Sequence, residues 1–301
     1  MAERHKTDYQ IKQILKHNRD GCPSLRKARH RQLMRIVSQL QELGYGKRWD
    51  VHKLSARVVH RLVNLWRRQG NSHRTIANKA SHLRWLADKV NRSDQIPSNK
   101  NVGIALRSSS PDYQTNKARP LLKKHLDQMK PRIRLVNELK AEFGLREDEA
   151  CKFQHKYATA ESDAYIKLHG SWCKGGRPRV IEIVNNKQRK LLERVKTHQD
   201  SHCEKSMIPK GRRSKTFQNA IQASSTALGI QGHKFRHQWA QKKFIQISGG
   251  IKPPLAGGPK YSSLNKEERA LWDKAAERVN QELGHGKGRK DTTATYIGGR
   301  R

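Results

Sequence analysis

Apolar residues recur at three- and four-residue spacing in three stretches of the first hundred positions, a period typical of amphipathic helices. The first stretch ends at Gly44, the second runs from Leu54 to Gly70, and the third follows Ser72, a residue type that favours helix N-termini. The predicted inward positions are Leu33, Ile36, Val37, Leu40 and Leu43 in the first, Val58, Val59, Leu62, Val63 and Trp66 in the second, and Ile76, Ala77, Ala80, Leu83, Leu86, Ala87 and Val90 in the third. We therefore predict a small all-α domain of three helices.

The same pattern divides the chain into segments. Residues 1–24 are basic and polar with few apolar anchors, which predicts a loosely ordered N-terminal arm. Residues 25–95 hold the three helices, and residues 96–117 have the polar composition, with Pro and Ser, that is typical of a linker. A second domain is predicted over residues 118–301.

The second domain has helical patterns that are interrupted once by a change of period. Residues 164–168 and 179–184 favour two short strands, and the Gly- and Pro-containing segment between them is typical of a hairpin turn. Three acids at 147–149 favour the start of a helix before this hairpin, and helical patterns resume from about residue 187. The predicted fold class is mainly α with a small β-hairpin, an α+β arrangement.

The charge of the chain predicts that this mainly helical protein binds a polyanion. The chain has 64 Lys and Arg residues against 26 Asp and Glu residues, a formal net charge of +38. The positive charge runs through the whole sequence, so nucleic acid is favoured over a membrane surface as the partner. The sequence has no apolar run long enough to cross a bilayer and no signal-peptide core, which predicts a cytoplasmic protein without a membrane partner.

Motifs for metal and nucleotide binding are missing from the sequence. The four cysteines are widely spaced and form no Cys-x-x-Cys pair, which supports neither a zinc module nor a disulfide framework. Neither His-Glu-x-x-His nor a Walker-type phosphate loop occurs. We therefore expect no metal site and no cofactor.

Two groups of basic residues are candidates for DNA contact. The third helix carries Arg74, Lys79, His82 and Arg84 on its outward positions, and a charge run of this kind is equally well explained by a solvated helix face. In the hairpin turn, Arg177 and Arg179 flank a proline. The resulting Gly-Arg-Pro-Arg stretch matches the Gly-Arg-Pro core of hooks that lie in narrow A·T minor grooves.

The C-terminal segment combines a Gly-His pair with a tyrosine. Tyr296 stands eleven residues after His285, and the Thr-rich segment between them is predicted to be helical, which would bring a phenol and an imidazole into one pocket. Alone, this spacing is better explained by a buried aromatic residue and a helix-terminal histidine. Four further residues of chemical interest precede them in the chain, namely Arg146, Lys174, His233 and Arg236.

Four motifs that contain these residues resemble, in sequence order, those of the tyrosine recombinases, also called the phage integrase family. The motifs are GLREDEA, CKGGRPR, HKFRHQWA and LGHGKGRKDTTATY. The helical domain before them resembles the family's core-binding domain in architecture only. The resemblance implies a site-specific DNA recombinase that integrates or excises a mobile element. Tyr296 would attack the scissile phosphorus to give a 3′-phosphotyrosyl link, and the partners would be double-stranded attachment sites, a homotetramer on two such sites, and accessory DNA-bending proteins.

The resemblance also implies roles for the other residues. Arg146 and Arg236 would hold the non-bridging oxygens, because a guanidinium fork matches phosphate geometry. Lys174 would protonate the leaving 5′-oxygen, and His233 would assist proton transfer at the tyrosine. His285 would donate a hydrogen bond to the phosphate.

Alternatives to these roles stay open. Arg146 could instead pair with Glu149 on its own helix, or Glu149 could orient Arg146 for phosphate binding. His233 could be a helix-terminal residue satisfied by backbone. Lys167 and Arg177 lie close to Lys174 in sequence, so either could take its place. Two other functions are also possible: a non-catalytic architectural DNA-binding protein that uses the hairpin hook, and a monomeric topoisomerase that relaxes supercoils with the same nucleophile.

Two features depart from the family pattern. The interval between Arg236 and His285 is longer than the family usually shows, because residues 249–282 contain a Gly- and Pro-rich loop and an extra charged helix. This insertion could form a lid, a DNA contact or a contact between protomers. Only residues 297–301 follow Tyr296, whereas many relatives continue into a helix that docks on the neighbouring protomer. The usual tail-exchanged tetramer is therefore in doubt.

Overall fold

The structure of the protein, a computed structural model, describes residues 6–46, 48–105, 115–286 and 289–300. The chain forms two compact units, Met1–Ser110 and Pro111–Arg301, each with its own hydrophobic core. Residues 96–105, assigned above to the linker, include Val102 and Ile104, whose side chains are buried in the core of the first unit. Residues 106–114 of the linker lie outside the described residues, so its bounds stay a prediction.

The first unit is helical. Its elements are α1 (Lys6–His17), α2 (Pro23–Glu42), α3 (Ala56–Arg68) and α4 (His73–Lys89), with 3-10 turns at Val51–Lys53 and Ser93–Gln95. Helices α2, α3 and α4 confirm the three that the apolar pattern predicts. Ser72 caps α4 by accepting a hydrogen bond from the Thr75 backbone N–H at 3.3 Å, and the inward faces meet around the fully buried Trp66.

Helix α1 differs from the loosely ordered arm expected for residues 1–24. Its apolar contacts with the core come from the fully buried Ile11 and the partly buried Ile14 and Leu15. Polar contacts to distant residues add to these: the Thr7 hydroxyl donates to the Trp49 carbonyl at 2.6 Å, and Gln10 Nε2 donates to Asp50 Oδ1 at 3.0 Å. The polar partners of this helix lie about forty positions away in the sequence, so a local apolar pattern could not predict that it is held in place.

The second unit confirms a mainly α fold with a small hairpin. Its elements are α5 (Lys123–Leu126), α6 (Pro131–Phe143), α7 (Glu147–Lys152), α8 (His155–Ala158), β1 (Tyr165–Leu168), β2 (Arg179–Glu182), α9 (Asn186–Ser201), α10 (Ser214–Ala227), α11 (His233–Ile247), α12 (Lys266–Glu282) and α13 (Lys290–Ile297). Strands β1 and β2 pair antiparallel, with Tyr165 opposite Glu182 and Leu168 opposite Arg179.

Helix α11 organises this unit, because it packs against α6, α12 and α13. Its Phe235 and Phe244 are buried in the same core as Phe143 of α6. Gly144 ends α6 with a positive φ of 61°, and a Cβ atom there would lie only 2.5 Å from Trp239 Cε3. Glycine at this position therefore lets the end of α6 approach α11 closely, which brings residues 144–146 next to the first turn of α11.

Candidate active site

Tyr296 lies on α13 against the face of α11 that carries His233, His237 and Gln241. These three residues are spaced four apart, so they occupy successive turns on one side of the helix. The Tyr296 hydroxyl lies 3.5 Å from His233 Nε2, at the outer limit of a hydrogen bond, and the Tyr296 ring stacks on His237 with centroids 4.4 Å apart. The Tyr296 carbonyl accepts a hydrogen bond from Gln241 Nε2 at 3.1 Å. Helix α11 thus contacts the hydroxyl, the ring and the backbone of Tyr296.

His237 and Gln241 are not among the residues predicted from the sequence. The available signal was their spacing of four and eight positions from His233. Burial lowers the pKa of His237 to about 4, and His233 and Lys117 lower it further, so the ring that stacks on Tyr296 is neutral at neutral pH. Gln241 also donates to Asn116 Oδ1 at 2.9 Å, so one buried amide group links Tyr296 to the start of the second unit.

Gln241→Leu is expected to lower the free energy of unfolding by about 1–3 kcal/mol, because it leaves the buried Tyr296 carbonyl without its donor and removes one of the two donors to the Asn116 amide oxygen. Leucine keeps most of the side-chain volume. Urea denaturation at pH 7 measures the effect, and Gln222→Leu on the exposed face of α10 serves as the matched control. Equal stability of the two variants would contradict a structural role for the amide.

Arg236 is fully buried beneath the tyrosine, with its Cζ 5.8 Å from the centre of the Tyr296 ring. Its Nη1 and Nη2 groups donate to the backbone carbonyls of Gly144 and Leu283. Its Nε is buried and has no hydrogen-bond partner among the described residues. Burial, with the charge of Arg146 adding to it, lowers the pKa of Arg236 to about 10, so the guanidinium still carries its charge at neutral pH.

Glu149 is fully buried and accepts hydrogen bonds from two arginines. Arg146 Nη1 donates to Glu149 Oε1 at 2.9 Å, and the Arg146 backbone N–H donates to Oε2 at 2.7 Å. Arg179 donates to both carboxylate oxygens, at 2.8 and 2.7 Å. Burial alone would raise the pKa of Glu149, but the hydrogen bonds and charge of Arg179 outweigh it and hold the pKa at about 2. The pairing of Arg146 with Glu149 is therefore present, and it leaves the Arg146 side chain 24% exposed.

The buried position of Arg179 corrects the expectation that it contacts DNA from the hairpin surface. In β2, burial alternates along the strand, and Arg179 and Ile181 point inward while Val180 is exposed. Besides pairing with Glu149, the Arg179 guanidinium donates from Nε to the Glu282 carbonyl at 2.7 Å. The strand register therefore turns this arginine into the core.

His285 lies at the turn after α12, where Gly284 has a positive φ of 66°. Its ring centre is 5.4 Å from that of Tyr296, and its Nδ1 is 3.4 Å from Thr293 Oγ1. The Thr293 hydroxyl in turn donates to Asn280 Oδ1 at 2.7 Å, a contact that the sequence did not predict. Burial, followed by the charges of nearby arginines, lowers the pKa of His285 to about 3, so its imidazole is neutral at neutral pH.

The hairpin turn lies next to the segment after His285. A Cβ atom on Gly286 would lie 2.4 Å from Arg177 Nη1, so the exposed Arg177 covers this glycine. Lys174 is exposed in the same turn, and no described residue accepts a hydrogen bond from it. The structure thus gathers Tyr296, His233, Arg236, His285 and Arg146, and leaves Lys174 on the surface of the turn.

The four candidate DNA contacts on α4 differ in their surroundings. Arg74 is exposed, whereas Lys79 lies 5.2 Å from the centre of the Trp66 ring, and burial lowers its pKa. Burial also lowers the pKa of the half-buried His82. Arg84 Nη2 donates to Asn99 Oδ1 at 2.6 Å. DNA contact by these four residues stays a prediction.

Comparison with known proteins gives one family match. Residues 107–242 match the family model described as Integrase, and this range includes Arg146, Lys174, His233 and Arg236. A search of curated protein sequences finds no match.

Several solved structures share the fold. A lambda integrase dimer bound to a core site is 13% identical with a TM-score of 0.59, covering 98% of this chain and 96% of that one. The Tn1549 transposon integrase in complex with circular intermediate DNA is 13% identical with a TM-score of 0.53, covering 97% and 95%. The XerH site-specific recombinase bound to its difH substrate is 14% identical with a TM-score of 0.53, covering 96% and 80%. The chain therefore matches the integrase family model over its central residues 107–242, and it shares the fold of these integrases and recombinases over nearly its whole length.

Proposed function

We propose that this chain is a site-specific DNA recombinase that cleaves and rejoins DNA strands through a phosphotyrosyl intermediate on Tyr296. The observation that carries the proposal is the Tyr296 hydroxyl 3.5 Å from His233 Nε2, in a buried site that also contains Arg236. A phenol nucleophile, a neutral imidazole and fixed positive charge are the groups that phosphoryl transfer without a metal ion requires.

In the cleavage step, Tyr296 Oη forms a bond to the scissile phosphorus as its proton passes to His233 Nε2. Burial and the charge of Arg236 lower the pKa of His233, so its imidazole is neutral and can accept this proton. The bond from phosphorus to the 5′-oxygen breaks, and that oxygen takes a proton from Lys174. The phosphotyrosyl ester keeps the bond energy of the phosphodiester, so a 5′-hydroxyl can reverse the step without ATP.

Arg146 and Arg236 are the proposed ligands of the non-bridging oxygens. The buried Arg236 Nε lacks a partner among the described residues, and a phosphate oxygen would supply one. The partly exposed Arg146 is held by Glu149 through Nη1 and the backbone N–H, which leaves its remaining N–H groups for phosphate.

His285 requires a change of protonation to take its proposed role. Because the Thr293 hydroxyl donates to Asn280, its oxygen accepts from His285 Nδ1, which leaves Nε2 of the neutral ring as an acceptor. A bound phosphate favours the charged imidazolium, in which Nε2 also donates. Phosphate binding and proton uptake by His285 are therefore coupled in this scheme.

Double-stranded DNA is the proposed partner, since the chain's net charge of +38 suits a polyanion. A homotetramer on two attachment sites and accessory DNA-bending proteins are further proposals that follow from the family. Among the described residues, no helix combines the length and apolar character needed to span a bilayer.

The architectural alternative loses support from the position of Arg179. Its guanidinium could enter a minor groove only by leaving Glu149, a fully buried carboxylate, without its bidentate partner. Of the two arginines in the hook, only Arg177 is exposed. No observation favours a monomeric topoisomerase over a recombinase.

The test is to incubate the purified protein with nicked duplexes tiled across the DNA that flanks its own gene, followed by denaturing gels. We expect a covalent protein–DNA adduct on one duplex, and peptide mapping should place the DNA on the segment that contains Tyr296. Salt-sensitive binding without an adduct on any duplex or on supercoiled plasmid would favour the architectural function. Relaxation of plasmid without joining of two sites would favour the topoisomerase.

A further inference from the structure

Residues 298–300 dock on the insertion between Arg236 and His285. This insertion, residues 249–282, contains 3-10 turns at Pro254–Ala256 and Tyr261–Ser263, followed by α12. Gly298 has a positive φ of 103°, and a Cβ atom there would lie 2.8 Å from Pro254 Cβ. The backbone after α13 therefore lies directly against the first of these turns.

Arg300 lies at the surface against Tyr261, Trp272 and Asp273, a group of side chains that we term the Arg300 pocket and in which the Arg300 and Asp273 side chains stay 43% and 40% exposed. The Arg300 guanidinium forms an ion pair with Asp273. Its Cζ lies 5.0 Å from the centre of the Tyr261 ring and 5.8 Å from that of Trp272. The Tyr261 hydroxyl donates to Asp273 Oδ2 at 3.1 Å, which fixes the carboxylate. Two aromatic rings and a held carboxylate are a combination suited to a guanidinium group.

The Arg300 pocket is connected to the helix that carries the active site. Trp272 packs edge-on against Phe244 of α11, with ring centres 5.5 Å apart. Tyr261 packs on Trp272 in the same manner at 5.1 Å. The C-terminal segment is thus held to α11 at two points, directly by Gln241 at the Tyr296 carbonyl and, through Trp272 and Phe244, at Arg300.

Helix α13 needs such contacts because it is short. It has eight residues, whereas isolated helices shorter than about 12–15 residues are marginal in water. Three of its residues are threonines, which lose side-chain freedom in a helix. The position of Tyr296 therefore depends on what the ends of α13 touch.

We propose that the insertion acts as an intramolecular clasp, in which the Arg300 pocket holds residues 298–300 and so positions Tyr296 beside His233. The occupant of the pocket is the chain's own Arg300. This inference rests on the proposed role of Tyr296 as nucleophile. It also gives the insertion a function in the protomer itself, distinct from a lid, a DNA contact or a contact between protomers.

The test exchanges the two charges of the ion pair. Arg300→Glu and Asp273→Arg each place like charges together, and the double variant restores an opposite pair in the same place. We expect each single variant to slow adduct formation by about 10- to 100-fold, the effect of a small displacement of a reacting group, and the double variant to recover most of the rate. Hydrogen exchange of the backbone amides of residues 291–300 should become faster in the single variants and slower again in the double variant.

Lys274→Glu is the matched control, because it makes the same charge change as Arg300→Glu at an exposed site next to Asp273. The clasp is contradicted if Arg300→Glu and Lys274→Glu have equal effects on both measurements, or if loss of the ion pair accelerates adduct formation. Hydrogen exchange needs no DNA. If the wild-type protein forms no adduct, the proposed function fails, while the exchange data still decide whether the clasp exists.

Discussion

Tyr296→Phe is expected to bind DNA with unchanged affinity and to form no covalent protein–DNA adduct. The substitution removes only the hydroxyl, whose single described contact is the 3.5 Å approach to His233 Nε2. The ring remains to stack on His237, so the buried site keeps its packing. Denaturing gels measure the adduct, and gel shifts with the same duplex measure binding. The expected loss is complete, because no other step in the scheme makes the bond to phosphorus.

Tyr157→Phe is the matched control, since Tyr157 is 36% exposed and packs on His169 and Trp172 away from α11. It should form the adduct at the wild-type rate. An adduct that persists in Tyr296→Phe would show that another residue is the nucleophile, and peptide mapping would then identify it. Loss of DNA binding in Tyr296→Phe would instead indicate that the phenol contributes to the fold or to DNA contact.

The sequence predicted most of the secondary structure, because apolar periodicity and turn residues are local signals. Apolar periodicity identified α2, α3 and α4, and the change of period identified β1 and β2. Tyr296, His233, Arg236, His285 and Arg146 were predicted because their motifs, in this order, resemble those of the tyrosine recombinases, and the structure brings these five side chains together.

The contacts that complete the site were not predictable, because they depend on register and on distant partners. Whether Arg179 faces the solvent or the core is decided by the alternation of β2, and a shift of one residue would reverse it. The stack of His237 on Tyr296 depends on how α13 packs against α11. The residue pattern within either helix does not predict this packing. The Arg300 pocket likewise joins residues far apart in the sequence that have no motif in common.

Glu149→Gln is expected to lower the free energy of unfolding by about 3–5 kcal/mol at neutral pH, because it removes the charge that compensates the buried Arg179. Glutamine has nearly the same shape, so the loss reports on charge and hydrogen bonding and not on packing. Glu142→Gln is the control: Glu142 pairs with Lys187, whose side chain is 76% exposed, and loss of such a surface pair costs about 0–1 kcal/mol. Urea denaturation measures both variants.

The pH dependence of the stability difference shows whether Glu149 stabilises the fold through its charge or through its hydrogen-bond geometry. The pKa of Glu149 is about 2 in the folded protein, where the hydrogen bonds of Arg179 outweigh burial, and about 4.3 in an unfolded chain. A carboxyl whose pKa is lowered on folding stabilises the protein above its unfolded pKa and loses this contribution as the pH falls through its folded pKa. The difference in stability between wild type and Glu149→Gln should therefore be constant above about pH 5 and shrink towards pH 2. A difference that does not change with pH would mean that Glu149 acts through its hydrogen-bond geometry and not through its charge. Because Arg146 shares this carboxylate with Arg179, the substitution is also expected to slow adduct formation by releasing a proposed phosphate ligand.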